Sequence, residues 1–113
     1  MTQLPLSGVR VLDISQVMAG PYACMLLGDL GADVIKIEPP GTGDQTRGSM
    51  GFKVKGPDSL GVLNLNRHKR SVCIDLQTEA GCALVADLAA DADIFVHSMK
   101  PGSADKRGLG EAA

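Results

Sequence analysis

Residues 9–38 read VRVLDISQVMAGPYACMLLGDLGADVIKIE, and this stretch decides the fold. Val9 to Ser15 is rich in branched apolar residues, as a buried strand of an α/β sheet must be, and Gly8 before it supplies a turn. From Gly20 to Gly31 the apolar residues Tyr22, Met25, Leu26, Leu27 and Leu30 recur at helical spacing, giving one apolar face. Pro21 suits the first helical turn, and Gly31 suits the residue just past the end. Asp33 to Glu38 returns to a branched run that Pro39-Pro40-Gly41 must end, because proline cannot continue a sheet ladder. The order is strand, helix, strand.

Downstream the unit repeats. Arg70 to Leu76 (RSVCIDL) reads as a third strand. Thr78 is placed to cap a helix whose face is Leu84, Val85, Leu88, Ala89 and Ala92, with Glu79 adding negative charge to the first turn. Asp93 to Met99 (DIFVHSM) is a fourth strand, cut off at Lys100-Pro101-Gly102, and Ser103 to Arg107 begins one more helical turn. Between Thr42 and Arg67 no periodicity is sustained. The glycines there, with Pro57 and Asp58, predict a long ordered loop holding a short helical turn near Leu60 to Leu65. Two β-α-β units predict an α/β fold with a Rossmann-like parallel sheet and right-handed crossovers. Ligands of such a sheet meet the carboxyl ends of its strands, so the functional loops are expected after Ser15, Glu38, Leu76 and Met99.

Composition narrows the function classes. With 113 residues, 44% hydrophobic and 21% charged, the chain has the balance of a globular domain or part of one. A net charge of −2 and only three aromatic residues (two Phe, one Tyr) argue against nucleic acid or anionic lipid as partner. The start Met-Thr-Gln-Leu-Pro lacks the pattern of a signal peptide, and no apolar run approaches a membrane span; the expected location is cytoplasmic. Cys24, Cys73 and Cys82 have no C-x-x-C spacing and read as small buried apolar residues, with no metal site and no disulfide framework.

Candidate chemistry is sparse. Glu38 ends the second strand where a dinucleotide fold keeps its ribose-binding acid, but the preceding turn, Gln16-Val17-Met18-Ala19-Gly20-Pro21, is not G-x-G-x-x-G. The cluster Arg67-His68-Lys69-Arg70 can pair with phosphates or simply form a solvated strand entrance, and the second is the preferred reading. Lys100, Lys106 and Arg107 form a similar set, open between the two readings. His68 and His97 lack a partnered nucleophile and read as structural. From the residues alone, the reading ends at a ligand-binding α/β domain.

The blocks AGPYA, GADVIKIEPPG, GD-x-TR, N-R-x-K-R-S and PG-x-x-x-x-x-GLG, in this order and spacing, resemble the N-terminal region of family III CoA transferases. That group includes formyl-CoA transferase, carnitine CoA-transferase and α-methylacyl-CoA racemase. The resemblance spans nearly the whole chain and implies that residues 1–113 are the CoA-binding, N-terminal part of a larger Rossmann-like domain. It further implies an interlocked homodimer, acyl-CoA and a carboxylic acid as substrates, and no tightly bound cofactor. Carried over, the CoA-contacting positions are Met18 and Ala19; Ile74, Asp75, Leu76 and Gln77; Ser98, Met99 and Lys100; and Lys106. The chain departs from the family's pattern at Pro39, Gln77, Ser98, Met99 and Lys106, the last replacing an arginine. No catalytic residue falls within it, since the family's nucleophilic Asp lies beyond position 113. The long loop before Asn66 looks transferase-like; the alternatives are a racemase-type fragment and a stand-alone, non-catalytic CoA-binding or dimerisation module.

Overall fold

The computed structural model describes residues 3–53 and 56–111. Met1 and Thr2 of the start, and Val54 and Lys55 of the long loop, lie outside the described residues. The elements run β1 (Arg10–Asp13), α1 (Ala19–Asp29), β2 (Asp33–Glu38), α2 (Thr46–Ser49), α3 (Leu60–Leu65), β3 (Lys69–Cys73), α4 (Glu79–Ala90), β4 (Ile94–Val96) and α5 (Ser103–Lys106). The four strands form one parallel sheet in the order β3-β2-β1-β4. The expected doubled β-α-β arrangement is therefore present. Val11 lies opposite Val34 on one side and Ile94 on the other, so β1 is central.

Strand alternation sends successive side chains to opposite faces, and each face has its own core. Leu12, Ile14, Ile37 and Ile74 pack with Val85 of α4 and with Ala104 and Leu109 around α5. Val11 and Val34 pack with Cys24 of α1 and with Ala32 on the other face. The chain runs outward from β1 through β2 to β3, then α4 carries it back across the sheet to β4 on the far side of β1. The order in which strands are added to the sheet thus reverses at β1 and β4, which run parallel, and this opens a crevice at their carboxyl ends.

Local sequence accounts for the elements. The Thr78 hydroxyl accepts the Gly81 N–H at 3.0 Å and starts α4, as its position predicts. A Cβ on Gly81 would collide with the Asp75 carbonyl, so only glycine lets α4 begin this close to the end of β3. Gly31, at φ 106°, closes α1. In the 39–67 connection, buried Ser59 accepts the Val62 N–H and caps α3, while its hydroxyl donates to the Thr46 carbonyl.

Three packing expectations are corrected. Tyr22, Leu26 and Leu30 are exposed; Met25, Leu27 and Cys24 carry the buried side of α1 instead. Leu84 is half exposed, leaving Val85, Leu88 and Ala89 as the packed face of α4, with Ala92 packed just beyond its end. Cys73 is exposed, because β3 is an edge strand, whereas Cys24 is fully buried.

Candidate functional site

The carboxyl halves of the strands hold a buried ionic network that no motif reading anticipated. Asp13, Lys36 and Glu38 point to the α1 face, where apolar residues at the same inward positions give way to charge. Lys36, whose side chain is 2% exposed, places Nζ 2.9 Å from Asp44 Oδ2 and donates to the Ser15 carbonyl at 3.0 Å. Asp44 Oδ2 accepts no directed hydrogen bond, so the charge of Lys36 is its whole compensation. Lys69 Nζ, equally buried, donates to Asp13 Oδ2 at 2.9 Å, to the Pro21 carbonyl at 2.9 Å and to Asn66 Oδ1 at 2.8 Å. Burial draws the Lys69 ammonium below its ordinary range against the pull of Asp13. Burial, helped by the Asp13 carboxylate, pushes the Cys24 thiol up to about 12.

This network fixes the strand-end loops. Asp13 accepts both the N–H and the hydroxyl of Ser15, which turns the chain at the end of β1. Val17 then takes φ 74°, a left-handed conformation costly for a branched residue, with its N–H aimed at Asp44 Oδ1, 3.5 Å away. Gly20 sits against the Ser15 side chain with no room for a Cβ, which explains the glycine of the AGPYA block. In the GD-x-TR block, burial raises the Asp44 carboxyl, but the Thr46 N–H and hydroxyl and Lys36 outweigh it and leave it below the usual range. Arg47 grips Glu38 with two bonds of 2.7 and 2.6 Å. With the Asp44 N–H and the Ser71 hydroxyl added, these bonds hold Glu38 at about 2 against the effect of burial. Glu38 is thus engaged within the protein rather than presented to a ribose.

Above these loops lie three clefts sharing one wall. The first, about 240 Å³, is bounded by Ile14 and Gln16, by Asp75, Leu76 and Gln77, and by Met99 and Arg107. A second, about 410 Å³, joins it at Leu76, Gln77 and Arg107 and adds Lys106 and Cys82. A third, about 470 Å³, joins it at Leu76, Ile14, Gln16 and Met99 and adds Val17, Gln45 and Ser98 at the crevice between β1 and β4. Together they make a trough along the strand ends, apolar in the middle and cationic towards α5.

Of the residues named from the sequence, Ile74, Asp75, Leu76, Gln77, Ser98, Met99 and Lys106 line this trough. Met18, Ala19 and Lys100 are exposed and stand outside the three clefts. Gln16, Gln45, Ser103 and Arg107 line it without having been singled out as site residues. The cluster at 67–70 is elsewhere. Arg67 pairs with Asp29 at 2.9 and 2.6 Å, and Arg70 with Asp33 at 2.8 and 2.6 Å, both at the amino end of the sheet. Lys69 is not solvated but buried, which corrects the strand-entrance reading at that residue. His97 Nδ1 accepts the Met99 N–H at 3.2 Å and shapes the turn after β4. Among the described residues no group of three or more His, Cys, Asp or Glu is arranged to hold a metal, and no helix is long and apolar enough to cross a membrane.

A parallel sheet with helices on both faces and a trough at its topological switch point defines a Rossmann-like α/β protein. Within that class the chain belongs to CoA-transferase family III, whose model matches residues 6–113. Succinyl-CoA:glutarate CoA-transferase of Mus musculus is 47% identical over 106 residues, covering 94% of this chain and 24% of that protein. The alpha subunit of succinyl-CoA–L-malate CoA-transferase of Chloroflexus aurantiacus is 42% identical over 107 residues, 95% of this chain and 25% of the relative. The chain thus spans about a quarter of the length of these relatives. The crystal structure of a CAIB/BAIF family protein from Brucella suis superposes with a TM-score of 0.89 at 40% identity, covering 98% of this chain and 30% of that one. A putative betaketoacyl-ACP reductase, at 23% identity and a TM-score of 0.54, shares the fold alone.

Proposed function

We propose that the protein carrying this chain transfers CoA between carboxylic acids, and that residues 1–113 supply its CoA-binding strand-end loops. The observation that carries this reading is the trough at the β1/β4 switch point, in a chain of this family. Its apolar centre at Ile14, Leu76 and Met99 suits a pantetheine arm, and its cationic end at Lys106 and Arg107 suits phosphates. The relatives named above are CoA-transferases, which favours transfer over racemisation. Both of those relatives are named for succinyl-CoA, so a dicarboxylic acyl-CoA is the donor to assay first.

The chemical step lies outside these residues. An aspartate further along a full-length family member attacks the thioester carbonyl and releases CoA thiolate, leaving an acyl-aspartyl anhydride. The thiolate then attacks the aspartyl carbonyl, freeing the first acid and leaving an enzyme thioester that the acceptor acid opens in turn. The loops described here hold CoA while its acyl group is exchanged. The test is CoA transfer from succinyl-CoA to glutarate or malate by the full-length protein, with hydroxylamine trapping of the acyl-enzyme. Transfer with a trapped intermediate supports the reading; exchange of the α-proton without transfer would replace it with the racemase reading.

A further inference from the structure

The resemblance directs attention to Lys106 as the residue facing the CoA phosphates, but the geometry points to its neighbour. We propose that Arg107 is the side chain that grips a phosphate of the ligand, positioned for it by Ser103, and that Lys106 only adds to the surrounding field. The inference rests on the CoA-binding reading above and names the residue that carries it.

Among the described residues, Arg107 is the one cation that borders both the 240 Å³ and the 410 Å³ cleft, whereas Lys106 borders only the outer one. Arg107 is half buried and Lys106 is exposed. One nitrogen of its guanidinium is already oriented, since Nη1 donates to Ser103 Oγ at 2.6 Å and to the Ser103 carbonyl at 3.2 Å. Ser103 lies one helical turn earlier, so the pair spans α5 and its end as a brace. A planar guanidinium held from one side keeps its remaining N–H groups for an anion and loses less rotamer freedom on binding than a free lysine.

Charge balance supports the same assignment. Among the described residues, Arg10, Lys36, Arg47, Arg67, Lys69 and Arg70 each have a carboxylate within salt-bridge distance. Arg107 and Lys106 have none there, and Glu38, Asp75 and Glu79, which border the clefts, stay beyond that distance from both. An unpaired, half-buried cation in a cleft is a standing site for an anionic group.

The test is calorimetric titration of the chain and its variants with CoA, 3′-dephospho-CoA and pantetheine. Arg107→Ala is expected to weaken CoA binding roughly 10- to 100-fold, the range of a hydrogen-bonded charged contact. Its pantetheine affinity is expected to stay within about twofold, while Lys106→Ala costs CoA less than about fivefold. Arg107→Lys should fall between, since charge is kept and the fork is lost. If the Arg107→Ala penalty vanishes with 3′-dephospho-CoA, the gripped group is the 3′-phosphate; if it persists, the diphosphate. Either result upholds the assignment. An equal loss for pantetheine means that Arg107 only holds α5 in place, and a larger loss in Lys106→Ala returns the role to Lys106; both overturn the inference while leaving CoA binding intact. Absence of CoA binding by the unaltered chain removes the reading beneath it as well.

Discussion

The two ends of the sheet handle charge in opposite ways. At the amino end, Arg10, Asp33 and Arg70 form a ladder across β1, β2 and β3, with Arg67 and Asp29 beside it. These pairs are exposed to water, and each cation in them has a carboxylate within salt-bridge distance. Beneath the carboxyl end, the pairs Lys36–Asp44, Lys69–Asp13 and Arg47–Glu38 are drawn into the protein, and above them Lys106 and Arg107 have, among the described residues, no carboxylate within salt-bridge distance. Exposed pairs between long side chains contribute little to stability. Buried pairs are costly to break, and the ones here tie down the loops around the trough. The amino end is a finished surface; the carboxyl end is a scaffold with cations left over.

The sharpest way to break this contrast is to remove a buried charge. Lys36→Met leaves Asp44 Oδ2 without a partner and frees the Ser15 carbonyl, and it is expected to cost about 3–5 kcal/mol in a denaturant titration. A loss below about 1 kcal/mol would mean the network is not a structural tie.

Acid should act next. The Glu38 carboxyl is held at about 2 in the folded chain against an ordinary value of 4.5. Its folded value is depressed, so its contribution is complete above about pH 4.5 and disappears as pH falls towards 2. The loss is about 3 kcal/mol across that window. Glu38→Gln, measured in parallel, should flatten the same part of the stability curve.

At the amino end the expected effects are small. Arg70→Ala should change stability by no more than about 1 kcal/mol, with less effect at high salt, and should leave CoA affinity unchanged. A drop in CoA affinity there would erase the distinction between the ends. A finer probe of burial is the thiol pair: Cys73, exposed on β3, should react with a maleimide in the folded chain. Cys24, buried with its thiol pushed up to about 12, should react only on unfolding.

Periodicity made the strands and the long helices α1 and α4 legible because each has an apolar run that suits one geometry, whereas α2, with the sequence TRGS, has none. Asp33–Glu38 and Leu60–Leu65 fall on the residues their sequence indicates. The faces of α1 and α4 were less legible: Leu26 and Leu84 share the spacing of buried leucines, but which side meets the sheet depends on tertiary placement. The trough was legible as a set of loops, since strand ends follow from strand limits and parallel order. The ionic network beneath it was not, because its members lie up to 56 positions apart. One signal was available. Lys36 interrupts the apolar run DVIKIE at an inward position, and a lysine buried there demands an acid. Arg107 was visible only as one of three ambiguous cations, and the Ser103 brace separates it from Lys106.

The most direct test of CoA binding along the strand ends maps amide chemical-shift changes in the chain on titration with CoA. Saturable shifts are expected, confined to residues 14–17, 74–77, 98–99 and 103–107, with residues 29–33 and 67–70 at the amino end unmoved. No saturable shift, or shifts centred on the Arg67–Arg70 segment, would contradict it.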